Sequence, residues 1–565
     1  MNLSPDKKIA GVLAPLFALR ADDDLGIGDV AGLREFIDWA ADVGFRVVQL
    51  LPINETGGDN SPYNAISAMA IEPTTLHLAP GSPAHLTRED FEAVTAETKL
   101  ERLRRGSVKY ARVKKLKRRL LQKAFANFSA SADPEARASL KAFTEAEAGW
   151  LEDYTLFRVL MEENNESETW DAWRPNHRSI EKARAWLKEL PAEQQSLFAA
   201  RRDFFAYVQW VAHEQWRRIK SYAEERDVAV MGDIPYGISY YSADVFARPN
   251  EFALDWSGGA PPEPYFKDDE FTQKWGQNWG IPIYRWDVMR ADNLSWWRQR
   301  VGGVKNVFHV FRIDHVMGFY RIYAFPWRPT ESKEFLPLDW AQMLARTGGR
   351  PPHFVPRDDA NPENAEANRR DGEAYLRTIL QECGATRVVG EDLGTVPDYV
   401  RPNLRSLGIA GFKIPQWEVG HGRVVPGTEF DRLSVATYAT HDHKPIRALW
   451  EEAFDQANPT SEQARQDLNR IAEFAGVSHR ADQLDFEKDF YPAIMEALFK
   501  CESWIAVVMI TDLLGRKYRF NVPGTAAGSN WTQRMQRTIA QLRASRTTRQ
   551  RMRLITSLLE KTGRL

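Results

Sequence analysis

The stretch VFRIDHVMG, residues 310–318, decides the fold. It opens as an apolar, β-branched run and ends in an acid, Asp314, with Arg312 two residues earlier. Six further runs of this kind follow or precede it: FRVVQLLP (45–52), VAVMGDIP (228–235), RVVGEDLG (387–394), and residues 410–416, 434–442 and 504–515. With the N-terminal run at 9–19 they make eight. Apolar runs of this length, alternating with longer helix-periodic segments, are the pattern of βα units around a parallel sheet. One such helix is expected from Val30 to Val43: Leu33, Phe36, Ile37, Ala40 and Ala41 fall on one face, Asp29 caps its start and Gly44 ends it. Eight βα strands predict a (β/α)8 TIM barrel spanning 1–565 as one catalytic domain. A length of 565 residues suits one barrel of about 250 to 400 residues carrying insertions.

The largest insertion, residues 75–227, lies between the second and third strands and reads as a polar, helical subdomain. Its basic segment at 101–125 and the Arg-rich tail at 534–564 suggest either polyanion-binding helices or solvated helix faces. A formal net charge of −2 favours the solvated face and gives no reason to expect nucleic acid or an anionic membrane. Residues 357–372 (RDDANPENAEANRRDG) read as a polar surface loop. Two cysteines, Cys383 and Cys501, exclude a disulfide framework. No apolar stretch approaches the roughly 20 residues of a membrane span, and residues 1–10 lack the apolar centre of a signal peptide. A cytoplasmic location is expected.

Four strands end in acids: Asp233, Asp314, Glu391 and Asp442. In a parallel barrel these ends open onto one face, where the active site lies. One such acid is ordinarily a helix cap, but four together call for carboxylate chemistry. A metal centre would need His or Cys in ligand spacing. His309 and His315 are expected to turn away from Asp314 or lie too far from it, and only His441 and His443, flanking Asp442, keep that option open. Glycoside chemistry fits better, since a retaining enzyme needs a nucleophilic carboxylate and a carboxylic acid about 5 to 5.5 Å apart. Strand alternation puts Arg312 and Asp314 on one face, where the guanidinium favours an ionised nucleophile. Glu391 follows Val388 and Val389, where desolvation suits a general acid. Asp442 is left to stabilise positive charge or to hold sugar hydroxyls.

The ordered strings GIGD (26–29), SPYNAISA (61–68), DYTLFR (153–158), GDIP (232–235), GQNWGIPIYRW (276–286), FRIDHVMGF (311–319), GEDLG (390–394), THD (440–442), DLLG (512–515) and RFNVPGT (519–525) resemble glycoside hydrolase family 77 over nearly the whole chain. The resemblance implies a 4-α-glucanotransferase that moves α-1,4-glucan segments between maltooligosaccharides by retaining double displacement, as monomer or homodimer. It implies that Asp314 is the nucleophile, Glu391 the acid/base and Asp442 the transition-state stabiliser. Tyr63, Asp233, Arg312, His441 and Asn521 are then substrate-binding residues, and 255–280 is a loop over the acceptor side. No metal or organic cofactor is implied. The sequence departs from the family pattern at His443-Lys444-Pro445, where Asn usually follows the THD motif. It departs again at Glu72-Pro73-Thr74, in place of Asn-Pro-aromatic, and in the insertion at 357–372. An α-amylase-like hydrolase using the same carboxylates is the nearest rival. A non-catalytic glycan-binding protein is the rival of another class, and a binding module needs no paired acid and nucleophile.

Overall fold

In the computed structural model, which describes residues 3–131, 134–263, 269–455, 457–477, 484–523 and 528–565, the eight expected runs become eight parallel strands. They are β1 (Ile9–Leu13), β2 (Val47–Gln49), β3 (Ala229–Ile234), β4 (Val310–Ile313), β5 (Arg387–Gly390), β6 (Gly411–Lys413), β7 (Ser434–Ala436) and β8 (Ile505–Met509). The sheet runs β6-β7-β8-β1-β2-β3-β4-β5. A parallel bridge from Val389 to Ala410, just before β6, joins its two edges and completes the barrel. Every residue of β1 and β8 is buried, as strands covered on both faces by helices and barrel interior require. The helix Val30–Val43 forms as expected: Asp29 accepts from Ala31 and Gly32, and Gly44 closes it at φ 107°, where a side chain would be strained.

The insertion between β2 and β3 is helical, built from Arg88–Ala96, Leu100–Arg104, Tyr110–Ser131, Pro134–Ala146, Ala148–Glu163, Ile180–Glu189 and the long Ala192–Glu225 that feeds β3; residues 132–133 lie outside the described residues. Its basic side chains divide between solvent, as at Arg102, Arg105, Arg112 and Lys115, and partners within the protein. Arg118 pairs with Glu162 and Glu166, and Arg119 with Glu97. Buried Lys117 donates to the carbonyls of Thr74 and Leu76, each at 2.6 Å. The Arg-rich tail is mixed in the same way, with Arg543, Arg546 and Arg549 exposed. Arg534 forms a buried pair with Asp24 at 2.6 Å.

Two segments differ from the sequence reading. Residues 357–372 are not a loop throughout, because the helix Pro362–Cys383 takes up their second half, capped by Asn361. The segment at 255–280 is strand at both ends, with a short helix, Glu270–Lys274, between them. Phe252–Ala260 and Gln277–Tyr284 pair antiparallel, and Ile322–Phe325 and His353–Val355 extend them to four strands. Residues 264–268 of that segment lie outside the described residues. Trp275, Phe325, Trp327, Phe335 and Met343 give this appendage a small core of its own.

Fully buried Arg564 ties the C-terminus to the β1/β8 seam. It donates to the carbonyls of Phe499, Ile9, Cys501, Ser503 and Trp504 at 2.5 to 3.3 Å. Arg564→Met removes the donor and leaves those acceptors without it, a loss of about 3 to 5 kcal/mol. A clear drop in the thermal midpoint is expected, and an unchanged midpoint contradicts this role.

Candidate active site

β4 and β5 run in register, with Ile313 opposite Gly390. The next residues, Asp314 and Glu391, are therefore neighbours on adjacent strand ends, spaced by about the 4.8 Å between strands at the backbone. Backbone bonds hold both, Asp314 N–H to the Ile234 carbonyl and Glu391 N–H to that of Ile313, each at 2.9 Å. Both line a cleft of about 650 Å³ at the C-terminal mouth of the barrel, together with Tyr63, Arg312, His441, Asp442 and Asn521.

Arg312 organises the floor. Its Nη2 lies 2.8 Å from Asp314 Oδ1, while Nη1 donates to both oxygens of Asp233 at 2.7 and 2.8 Å. Against the cost of burial, the carboxylates of buried Asp233 and part-exposed Asp314 drive its pKa well above the ordinary value. Asp233 in turn accepts from the Tyr63 hydroxyl at 2.7 Å. The Tyr63 ring stacks on His441 with centroids 5.0 Å apart and meets Trp531 at 5.8 Å. Burial first, then the Asp233 charge, push the Tyr63 phenol well above its usual range, so it stays a donor.

Glu391 sits in a different environment. Oε2 accepts the His315 N–H at 2.9 Å and Oε1 that of Leu393 at 3.1 Å. Burial raises its pKa to about 7, and the Asp314 charge adds to that against the opposing pull of Arg312. The adjacent Asp392 faces away, accepting from Phe412 N–H at 2.6 Å and Arg401 Nε at 3.1 Å. Asp442 completes the set. Burial acts to raise its carboxyl, but His441 at 3.2 Å and Asn521 Nδ2 at 2.6 Å outweigh that, and the net position is below the ordinary carboxylate range. Glu391 and Asp442 are thus pushed in opposite directions, Asp442 held towards its carboxylate form and Glu391 towards carrying a proton near neutral pH.

The structure therefore brings together all eight residues named from sequence, seven lining the cleft and Asp233 beneath Arg312 and Tyr63. It corrects one reading. His315 does not turn away, because its backbone enters the left-handed region at φ 47°. The ring lines the cleft against Trp279, centroids 4.8 Å apart. His309 lies at the far end of β4, with Nε2 3.1 Å from Glu224 and Nδ1 accepting from Val230 N–H. His441 and His443 have separate protein partners, Asp442 and Thr440. Residues missed from sequence are Trp417, half exposed on the rim, and Arg519, whose Nη2 donates to the Asp442 carbonyl at 2.5 Å. Arg519 lies outside any strand, two residues before Asn521, so no alternation marked it. Glu72 does not face the cleft. It accepts from Thr56 N–H and Oγ1 at 2.9 and 3.0 Å and braces the loop that carries Tyr63.

Comparison with known proteins gives a consistent picture. Residues 14–540 match glycoside hydrolase family 77, described as 4-alpha-glucanotransferase. The 4-alpha-glucanotransferase of Chlamydia muridarum is 29% identical over 547 residues, covering 94% of this chain and 92% of that protein. That of Thermus thermophilus is 29% identical over 516 residues, covering 89% and 90%. Among solved structures, the amylomaltase of Streptococcus agalactiae in complex with acarbose superposes with a TM-score of 0.71 at 21% identity, covering 99% of this chain and 100% of that one. The amylomaltase of Corynebacterium glutamicum gives 0.76 at 20%, covering 99% and 76%. At these identities the two structures speak for the fold.

Proposed function

This chain belongs to glycoside hydrolase family 77 and is a 4-alpha-glucanotransferase, and we propose that it transfers α-1,4-glucan segments by retaining double displacement on Asp314 and Glu391. The observation that carries the mechanism is the placement of those two groups on adjacent strand ends, one paired to Arg312 and the other raised to about 7. Arg312 holds Asp314 Oδ1, so Oδ2 is the oxygen positioned to attack the anomeric carbon. As that bond forms, Glu391 gives its proton to the departing glycosidic oxygen, and the shortened glucan leaves with a free 4-hydroxyl. The fragment is then held as an ester on Asp314. The 4-hydroxyl of an incoming glucan attacks the same carbon while Glu391 takes its proton, and two inversions give net retention. Asp442, fixed ionised between His441 and Asn521, faces the positive charge that develops on the ring in both steps.

Transfer rather than hydrolysis requires that a sugar reach the ester before water does. The strands Phe252–Ala260 and Gln277–Tyr284 contribute Gly259, Ala260, Gln277, Trp279 and Ile281 to the cleft wall, a cover over the side from which an acceptor enters. Incubation with maltotriose is expected to give glucose and a ladder of longer oligosaccharides. Shortening without lengthening makes the protein a hydrolase, and no change removes the catalytic reading altogether.

A further inference from the structure

His443 follows Asp442 directly and lines the same cleft. Its Nδ1 receives the Thr440 backbone N–H at 2.9 Å and lies 2.8 Å from Thr440 Oγ1. A backbone N–H only donates, so Nδ1 presents its lone pair, and a neutral imidazole must then carry its proton on Nε2. Among the described residues Nε2 has no hydrogen-bond partner. The ring packs against Trp417 with centroids 4.9 Å apart, and Trp417 exposes 47% of its surface on the rim. An indole face of that kind stacks on a sugar ring, and a donor at its edge meets that sugar's hydroxyls.

From this arrangement we propose that the His443 Nε2–H is a fixed hydrogen-bond donor to a hydroxyl of the glucan residue that stacks on Trp417, beside Asp442. The residue acts in binding and leaves the chemistry to the carboxylates. The inference rests on the glucanotransferase reading above and deepens it, adding one sugar contact to the cleft. The titratable neighbours of the ring are Asp442, His441 and Arg519; burial, helped by His441 and Arg519 and opposed by Asp442, holds His443 down at about 4. The donor is therefore present throughout the neutral range, and a proton added at Nδ1 would oppose the Thr440 N–H.

Two substitutions separate the ring's two edges. Asn places an amide oxygen near the position of Nδ1 and has nothing at Nε2, so His443→Asn keeps the Thr440 anchor and loses the donor. Gln reaches the Nε2 position with an amide N–H, so His443→Gln keeps the donor and loses the anchor. KM and kcat are measured for maltotriose and for maltoheptaose, with the thermal midpoint of each variant. A lost neutral hydrogen bond to substrate raises KM in His443→Asn about three- to tenfold while kcat stays within about twofold. His443→Gln holds KM within about twofold of the parent, and its loss of the Thr440 anchor shows as a lower midpoint. Unchanged KM in His443→Asn, or a loss confined to kcat, overturns the proposal. If His443→Asn melts too low to assay, His443→Gln decides, since a raised KM there overturns it as well. Failure of the parent enzyme to form a ladder from maltotriose is a different result, which sinks the transferase reading itself.

Discussion

Asp314→Asn is expected to abolish turnover by about ten-thousand-fold or more while leaving the fold and oligosaccharide binding in place. The magnitude follows from what the amide lacks: a neutral oxygen cannot attack the anomeric carbon. Such a factor corresponds to about 5 kcal/mol of barrier or more. Retention of the fold follows from Arg312. Its Nη1 stays bound to both oxygens of Asp233, so losing the Asp314 charge does not leave the buried guanidinium unpaired. The Tyr63 hydroxyl keeps its partner in Asp233 as well. Turnover and the thermal midpoint measured together decide the matter. A variant that melts normally yet keeps more than a few per cent of activity takes the nucleophile role away from Asp314.

Glu391→Gln is expected to slow transfer from maltooligosaccharides by about a hundred- to ten-thousand-fold. With a donor whose leaving group needs no proton, the first step escapes that loss and the ester builds up. Equal losses on both donors contradict the acid/base role. The raised pKa gives two further readouts from the same variant. A general acid must hold its proton, so parental kcat/KM should fall above about pH 7, and that limb should vanish in Glu391→Gln with an activated donor. For stability the sign runs the other way from a salt-bridged acid. The folded-state value lies above the unfolded one of about 4.3, so the folded form binds the proton more tightly. The buried charge is then a cost that grows as pH rises from the unfolded value to about 7 and is fully present above it. Glu391→Gln should melt higher than the parent near pH 8, and the gain should disappear near about pH 4.

The barrel and its acids were legible in the sequence because both obey short periods. Buried parallel strands are continuous apolar runs, and the acids sit where those runs stop. The pairing of Arg312 with Asp314 follows from an alternation of two. What escaped lacks such a period. Phe252–Ala260 and Gln277–Tyr284 carry Gly258, Gly259, Gly280 and Pro282 and are half-buried, so neither an apolar run nor a clean alternation marks them as strands. The helix Pro362–Cys383 opens on Asn361, Pro362 and Glu363, a proper N-cap followed by Pro at the first turn, but its polar first turns hid the start. His315 could not have been placed from alternation, since its left-handed backbone breaks the strand geometry immediately after Asp314. That break also turns its N–H onto Glu391, a contact that no side-chain pattern encodes.

The central claim is a covalent glycosyl ester on Asp314, and trapping it is the most direct test. Glu391→Gln incubated with an α-glycosyl fluoride has a donor that needs no acid and, with no competent base, an ester that is slow to leave. Mass spectrometry of the intact protein, followed by peptide mapping, reads the outcome. The account predicts one added glycosyl unit, located on the peptide containing Asp314 and absent when Asp314→Asn is combined with Glu391→Gln. Consumption of the donor with no adduct, or an adduct on Asp442 or Asp233 instead, contradicts it.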